Sequence, residues 1–147
     1  MAGAIHQKLL GIIARKMKLK NYEIISFDGD EKLFGDIDLA IPPDIKRHRP
    51  DILGINFLNK KLCVGEAKTK SDLSATRTKE QFLDFTEAVT KDGQKVELII
   101  GITKSSEREL IQLLKKLNLL NKPDVSYVWM PDELLEDAEK NNNEEIL

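Results

Sequence analysis

Residues 49–68 read Arg49-Pro50-Asp51-Ile52-Leu53-Gly54-Ile55-Asn56-Phe57-Leu58-Asn59-Lys60-Lys61-Leu62-Cys63-Val64-Gly65-Glu66-Ala67-Lys68. Two apolar runs, Asp51 to Phe57 and Lys61 to Lys68, flank the polar break Leu58-Asn59-Lys60, the pattern of a β-hairpin. Side chains alternate along a strand, so Leu62, Val64, Glu66 and Lys68 share one face while Cys63, Gly65 and Ala67 share the other. Glu66 and Lys68 therefore project together, and the small residues behind them admit a closely packed helix. A turn at Leu58–Lys60 lays the start of the first strand beside the end of the second. Asp51 is thus expected next to Glu66, with the register left open by sequence alone.

Outward from the hairpin, residues 4–19 place Ile5, Leu9, Ile12, Ile13 and Met17 at helical spacing among Lys8, Arg15, Lys16 and Lys18, an amphipathic helix ended by Asn21. Tyr22 to Phe27 reads as a strand and Asp28-Gly29-Asp30 as a turn. Residues 37–41 alternate like a short strand that Pro42-Pro43 stops, and Lys46 to Pro50 is a basic loop. After the hairpin, Ser71 or Ser74 is expected to cap a helix whose stripe is Phe82, Leu83, Phe85, Ala88 and Val89, closed by Asp92-Gly93. Val96 to Ile102 is a continuous apolar strand of the kind buried on both faces. Ser105 or Ser106 opens a helix carrying Leu110, Ile111, Leu113, Leu114, Leu117 and Leu120, and Val125 to Met130 is a last strand. Strand-helix-strand-helix-strand from residue 61 implies parallel pairing, whereas the hairpin is antiparallel. The fold class expected is α/β, a mixed central sheet flanked by helices on both faces.

The 147 residues suit one domain with its own core. No apolar run reaches the roughly 18–20 residues of a membrane span, and Met1–Lys20 reads as a helix and not a signal peptide. A lone cysteine, Cys63, excludes an internal disulfide and points to a reducing, cytoplasmic setting, the thiol acting as a small buried hydrophobe. The net charge is −2, but residues 132–147 carry seven acids against Lys140 alone, which leaves +4 on residues 1–131. The chain accordingly divides into an α/β body, 1–131, and an acidic C-terminal helix and tail, 132–147.

Asp51 and Glu66 offer hard oxygen ligands, and the Ala67 backbone carbonyl with waters could complete an octahedron around Mg²⁺, or Mn²⁺ in its place. Such a metal polarises a phosphate and acidifies a bound water, while Lys68 stabilises the attacking hydroxide or the phosphorus centre. The competing description is a strand that merely ends in a Glu–Lys ion pair. The hairpin placement, the shared face and the small reverse face favour chemistry.

Pro50-Asp51, fourteen intervening residues and Glu66-Ala67-Lys68, within a helix-strand-hairpin-helix-strand order, resemble the PD-(D/E)xK nuclease superfamily. That superfamily includes type II restriction endonucleases, archaeal Holliday junction resolvases and VRR-type nucleases. The resemblance spans the first helix to about Met130. It implies a restriction endonuclease-like core, metal binding by Asp51 and Glu66, and water activation by Lys68. Members often add an acid from the first helix, but Met1–Lys20 contains none. His6 is the one side chain there that could substitute, and its place near a helix start predicts exposure. Asp36 and Asp38, on one face of the short strand, are the alternative further ligands. Some relatives place a glutamine near the site from the next helix, which makes Gln81 an accessory candidate otherwise expected at the helix surface.

Arg47 and Arg49 before the site, and Thr69, Lys70, Arg77 and Lys79 after it, are expected to contact phosphates. The implied activity is a Mg²⁺-dependent endonuclease on DNA, dimeric or selective for DNA structure. The alternative is an inactive DNA-binding or assembly subunit of the same fold, or one part of a larger protein assembly.

Overall fold

A computed structural model of the chain describes residues 3–28 and 39–134. Along the chain the elements are α1 (Ala4–Leu19), β1 (Glu23–Phe27), β2 (Ile52–Asn56), β3 (Lys61–Ala67), α2 (Thr76–Glu87), β4 (Glu97–Thr103), α3 (Glu107–Lys116) and β5 (Val125–Met130). Short 3-10 turns, Asp72–Ser74 and Lys104–Ser106, lead into α2 and α3. The five strands lie in sequence order, with β1, β2 and β3 antiparallel and β3, β4 and β5 parallel. This is the mixed α/β sheet that the apolar pattern predicts.

Helices cover both faces. On one face α1 packs Leu9, Leu10, Ile13 and Met17 against Ile52, Cys63, Ala67 and Ile99. On the other, Phe82 and Phe85 of α2 and Leu110, Leu113 and Leu114 of α3 meet Leu53, Val64, Leu98, Ile100 and Ile102. Alternation along β4 thus feeds two cores, which explains why the strand reads as unbroken apolar sequence. Phe82 and Phe85 are fully buried, and each contributes on the order of 1.5–3 kcal/mol of transfer free energy.

The hairpin turn is built by local side-chain acceptors. Asn56 Oδ1 accepts from the Leu58 amide at 3.0 Å, Asn59 Oδ1 accepts from the Lys61 amide at 2.9 Å, and Lys60 takes φ 60°. Asx turns of this kind substitute for a regular two-residue turn. They fix the pairing as Ile52 with Gly65 and Asn56 with Lys61, so Asp51 stands at the position across from Glu66.

Three expectations need correction. Neither Ser71 nor Ser74 caps α2 through its side chain: Ser74 Oγ is spent on the Ser71 carbonyl at 3.0 Å, because the 3-10 turn comes first and moves the helix start to Thr76. The helix also ends at Glu87, not at Asp92: Ala88 is extended at ψ 143°, and Val89 bridges to Lys95 instead. Val89 is accordingly exposed. Third, α3 stops at Lys116, leaving Leu117 and Leu120 to pack from the following turns. Of the short strand expected at 37–41, residues 37 and 38 lie outside the described residues. Ala40 forms a parallel bridge to Ser26, its carbonyl accepting from the Phe27 amide at 2.9 Å. The acidic segment is likewise described only to residue 134. Among the described residues no helix is long and apolar enough to cross a membrane.

α1 lies so close to the sheet at Gly65 and Gly101 that a side chain at either position would collide. A Cβ built on Gly65 would meet Ile13 Cγ2 at 2.6 Å, and one on Gly101 would meet Ile13 Cδ1 at 2.6 Å and the Leu9 carbonyl oxygen at 3.2 Å. The helix backbone cannot yield as a side chain can. Gly101→Ala should therefore destabilise the fold by about 1–3 kcal/mol through overpacking. Denaturant unfolding checks this; an unchanged midpoint would mean that α1 is not seated as described.

Candidate active site

The open end of the hairpin is tied by two reciprocal bonds. The Asp51 amide donates to Glu66 Oε1 at 3.0 Å, and the Ala67 amide donates to Asp51 Oδ2 at 2.9 Å. Each acid is thus held by the backbone of the opposite strand. Lys68 Nζ lies 3.5 Å from Glu66 Oε2 and donates a short hydrogen bond to Gln81 Oε1 on α2. All three members of the trio, Asp51, Glu66 and Lys68, therefore meet as the alternation argument requires.

The peptide between Ala67 and Lys68 is also oriented. The Lys68 amide donates to the Gly101 carbonyl on β4 at 2.9 Å. In a planar trans peptide the carbonyl opposes the amide, so the Ala67 carbonyl is turned towards the β2 side, where Asp51 sits.

Two expectations of exposure are overturned here. Gln81 is 5% exposed and inside the site, because it borders the Phe82 and Phe85 stripe. His6 is half-buried, its Nε2 3.7 Å from Asp51 Oδ2, because the start of α1 passes over the open end of the hairpin. These groups line one open cavity of about 590 Å³ together with His48, Arg49 and Arg77.

The expected phosphate contacts divide. Arg49 and Arg77 line the cavity; Arg49 is half-exposed and lies 3.9 Å from Asp28 and 3.8 Å from Asp44. Arg47 also lines it, but its guanidinium is committed to α2, reaching Asp84 at 2.9 Å and Glu80 at 3.0 Å. Thr69 is spent on the local turn, its amide and hydroxyl both 2.8 Å from Asp72 Oδ2. Lys70 pairs with Glu109 at 3.5 Å. Lys70 and Lys79 line a separate groove against α3 with Lys116, because residue 79 lies on the side of α2 away from residues 77 and 81. Asp36 and Asp38 lie outside the described residues.

Three site groups escape a sequence reading that stops at the trio. Asp28 follows β1 and lines the cavity, its amide donating to the Asp51 carbonyl at 2.8 Å. His48 lines the cavity and pairs with Asp84 behind it, Nδ1 to Oδ2 at 2.9 Å. The signal for Asp84 was present: Thr78, Gln81 and Asp84 recur at spacing three along the edge of an apolar helix face, and all three are buried.

Electrostatically the site is strained. Burial, then the neighbouring Asp51, pushes the fully buried Glu66 carboxyl well above its ordinary range, opposed by Lys68 and the Asp51 amide. Burial also raises Asp51, against the Ala67 hydrogen bond, His6 and Lys68, with Asp28 adding to the rise. Two acids therefore share one lysine in a water-poor corner, which is a demand for more positive charge. A hard divalent cation answers that demand through Asp51, Glu66 and the Ala67 carbonyl. Among the described residues no three His, Cys, Asp or Glu side chains gather into a metal-binding group, so water and phosphate oxygens would fill the remaining positions. Neither family models, curated proteins nor solved structures give a match to this chain.

The raised carboxyls give a pH signature. The folded chain retains protons at Asp51 and Glu66 that the unfolded chain has lost, so stability falls as pH rises above the ordinary carboxylate range of about 4. The depressed acids Asp84, Glu107, Glu109 and Asp132 contribute the opposite slope, and only below that range. In EDTA the melting temperature should thus decline between about pH 5 and pH 8. Millimolar Mg²⁺ should raise it more at the upper end, because binding there displaces fewer protons. Thermal denaturation of wild type and Asp51→Asn reads both effects; a Mg²⁺ increment that persists in the variant contradicts the assignment.

Proposed function

We propose that the chain is a divalent-metal-dependent endonuclease that hydrolyses DNA phosphodiesters, with a restriction endonuclease-like core of the PD-(D/E)xK type. One observation carries this reading: the reciprocal Asp51, Glu66 and Ala67 bonds bring a buried and a half-buried acid, both under-compensated, to the same corner as a lysine that Gln81 holds in place. When bound, Mg²⁺ or Mn²⁺ would polarise the phosphate and lower the pKa of an attacking water.

The protein's own side chains do the rest. Asp51 and Glu66 supply the anionic corner. Lys68, anchored between Glu66 and Gln81, presents its ammonium to the attacking water and to the charge that grows on phosphorus. Arg49 and Arg77 on the cavity walls attract the phosphate backbone without reading sequence. Water attacks phosphorus, the bond to the 3′ oxygen breaks with its electron pair, and the products are a 5′-phosphate and a 3′-hydroxyl. Cutting both strands of a duplex or junction takes two such sites, which a homodimer would supply.

Supercoiled plasmid, linear duplex, single-stranded DNA and a four-way junction, each in Mg²⁺ or Mn²⁺, test the activity. Lys68→Ala should lower cleavage by about 10²-fold or more. Gln81→Ala, which frees the lysine without removing it, should cost about 10–100-fold. If none of the substrates is cut, or if Lys68→Ala cuts as wild type does, the nuclease reading is wrong.

A further inference from the structure

Part of the cavity wall is formed by the loop that carries Arg47, His48 and Arg49. It is clasped to α2 through Asp84, which is 4% exposed. Asp84 accepts from the Arg47 amide at 3.3 Å, from Arg47 Nε at 3.1 Å, from the guanidinium at 2.9 Å and from His48 Nδ1 at 2.9 Å. Hydrogen bonds to Arg47 and His48 hold this carboxyl well below the usual range. An ionised carboxylate only accepts, so His48 Nδ1 must carry the hydrogen that it donates. The ring orientation is then fixed, and Nε2 is the nitrogen left over. Among the described residues no side chain or backbone group bonds it, while His48 lines the cavity with its side chain 11% exposed.

We propose that His48, carrying hydrogen on both ring nitrogens, is a phosphate-contacting residue of this cavity, its Nε2 donating to a non-bridging oxygen of a bound phosphodiester backbone, with Asp84 as the positioning residue behind it. The identity of the ligand rests on the nuclease reading above. A ring with hydrogen on both nitrogens donates to Asp84 through Nδ1 and to a phosphate oxygen through Nε2 at once. The charged groups around it agree with that role. Arg47 on its own loop is already shared between Asp84 and Glu80, and Arg49 lies near Asp28 and Asp44. Arg49 contributes charge from an exposed position, whereas His48 offers a buried donor whose direction Asp84 fixes. Anchoring alone does not account for the imidazole, because Arg47 and the backbone pairing of Ile45 with His48 already pin the loop.

Two substitutions separate contact from anchoring. His48→Asn places an amide nitrogen where Nδ1 was, keeping the bond to Asp84 and losing the cavity donor. His48→Gln does the reverse. Binding of a short duplex, measured over a salt series in a Lys68→Ala background so that it stays uncut, should weaken about tenfold in His48→Asn, with the salt slope lower by about one. His48→Gln should retain more affinity than His48→Asn. The imidazole ¹⁵N signals of His48 should shift at Nε2 when the duplex is added. Equal affinity and slope in His48→Asn, or an unmoved Nε2 signal with DNA bound, overturns the proposal while leaving the nuclease reading intact. If no DNA binds but inorganic phosphate shifts Nε2, the nuclease reading fails and the anion contact stands. If phosphate leaves it unmoved as well, both fail.

Discussion

The exchange of hydrogen bonds between Asp51 and the end of β3 is the constraint on which the site depends. Asp51 gives its amide to Glu66 and takes the Ala67 amide on its carboxylate. A one-residue slip of the hairpin would send Glu66 and Lys68 to the α1 face, where Gly65 and Ala67 now make room for Ile13 and its neighbours. The glycine contacts and the carboxylate contacts therefore enforce the same register from opposite faces of one strand. Packing that looks purely structural on the α1 side is what keeps two acids and a lysine together on the other.

Buried acids elsewhere in this protein show that the strain at Glu66 is not a general cost of its architecture. Glu97 starts β4 and is 5% exposed, yet Tyr22 donates to one of its oxygens at 2.7 Å and Lys20 pairs with the other. The consequence falls on the partner: burial and Glu97 together push the Tyr22 phenol upward. Asp84 is satisfied still more fully, by Arg47 and His48. Behind the cavity wall, then, one acid is held firmly ionised, while two acids that line the cavity are driven towards retaining protons. The environments separate the carboxyl groups: Asp84 is fully partnered by Arg47 and His48, whereas Asp51 and Glu66 lack a matching counter-charge.

Much of this was legible in the sequence because period-two alternation is a strong constraint in a short hairpin. It placed Glu66 beside Lys68, put the small residues behind them, and identified Asp51 as the cross-strand partner; the Asx turns at Asn56 and Asn59 then settled the register. The parallel pairing of β3, β4 and β5 followed instead from the strand-helix-strand-helix-strand pattern after residue 61, while the strand order came from the structure. Helix ends were less legible. Ser71 and Ser74 have the chemistry of caps, but a 3-10 turn spent Ser74 locally, and Val89 continued an apolar stripe that the chain had already left. Lys79 was misplaced for a related reason: proximity in sequence to Lys68 does not fix which side of α2 a residue occupies, and a two-residue step from Arg77 turns it away.

His6 and Gln81 were misjudged because exposure depends on what passes overhead. A polar residue near a helix start is solvated only if nothing lies beneath it, and the start of α1 crosses the mouth of the hairpin. Gln81 borders two fully buried phenylalanines, so its amide is drawn inward and must find a polar partner there, which Lys68 provides. A lysine among under-compensated acids would otherwise collapse into a simple ion pair with Glu66. The Gln81 carbonyl oxygen competes for the same ammonium without adding charge, so Lys68 is positioned while the negative charge of the corner stays available to a cation. A carboxylate at position 81 would hold the lysine too, but it would deepen the imbalance that burial already imposes on Glu66 and Asp51. The neutral side chain is the one that positions without neutralising.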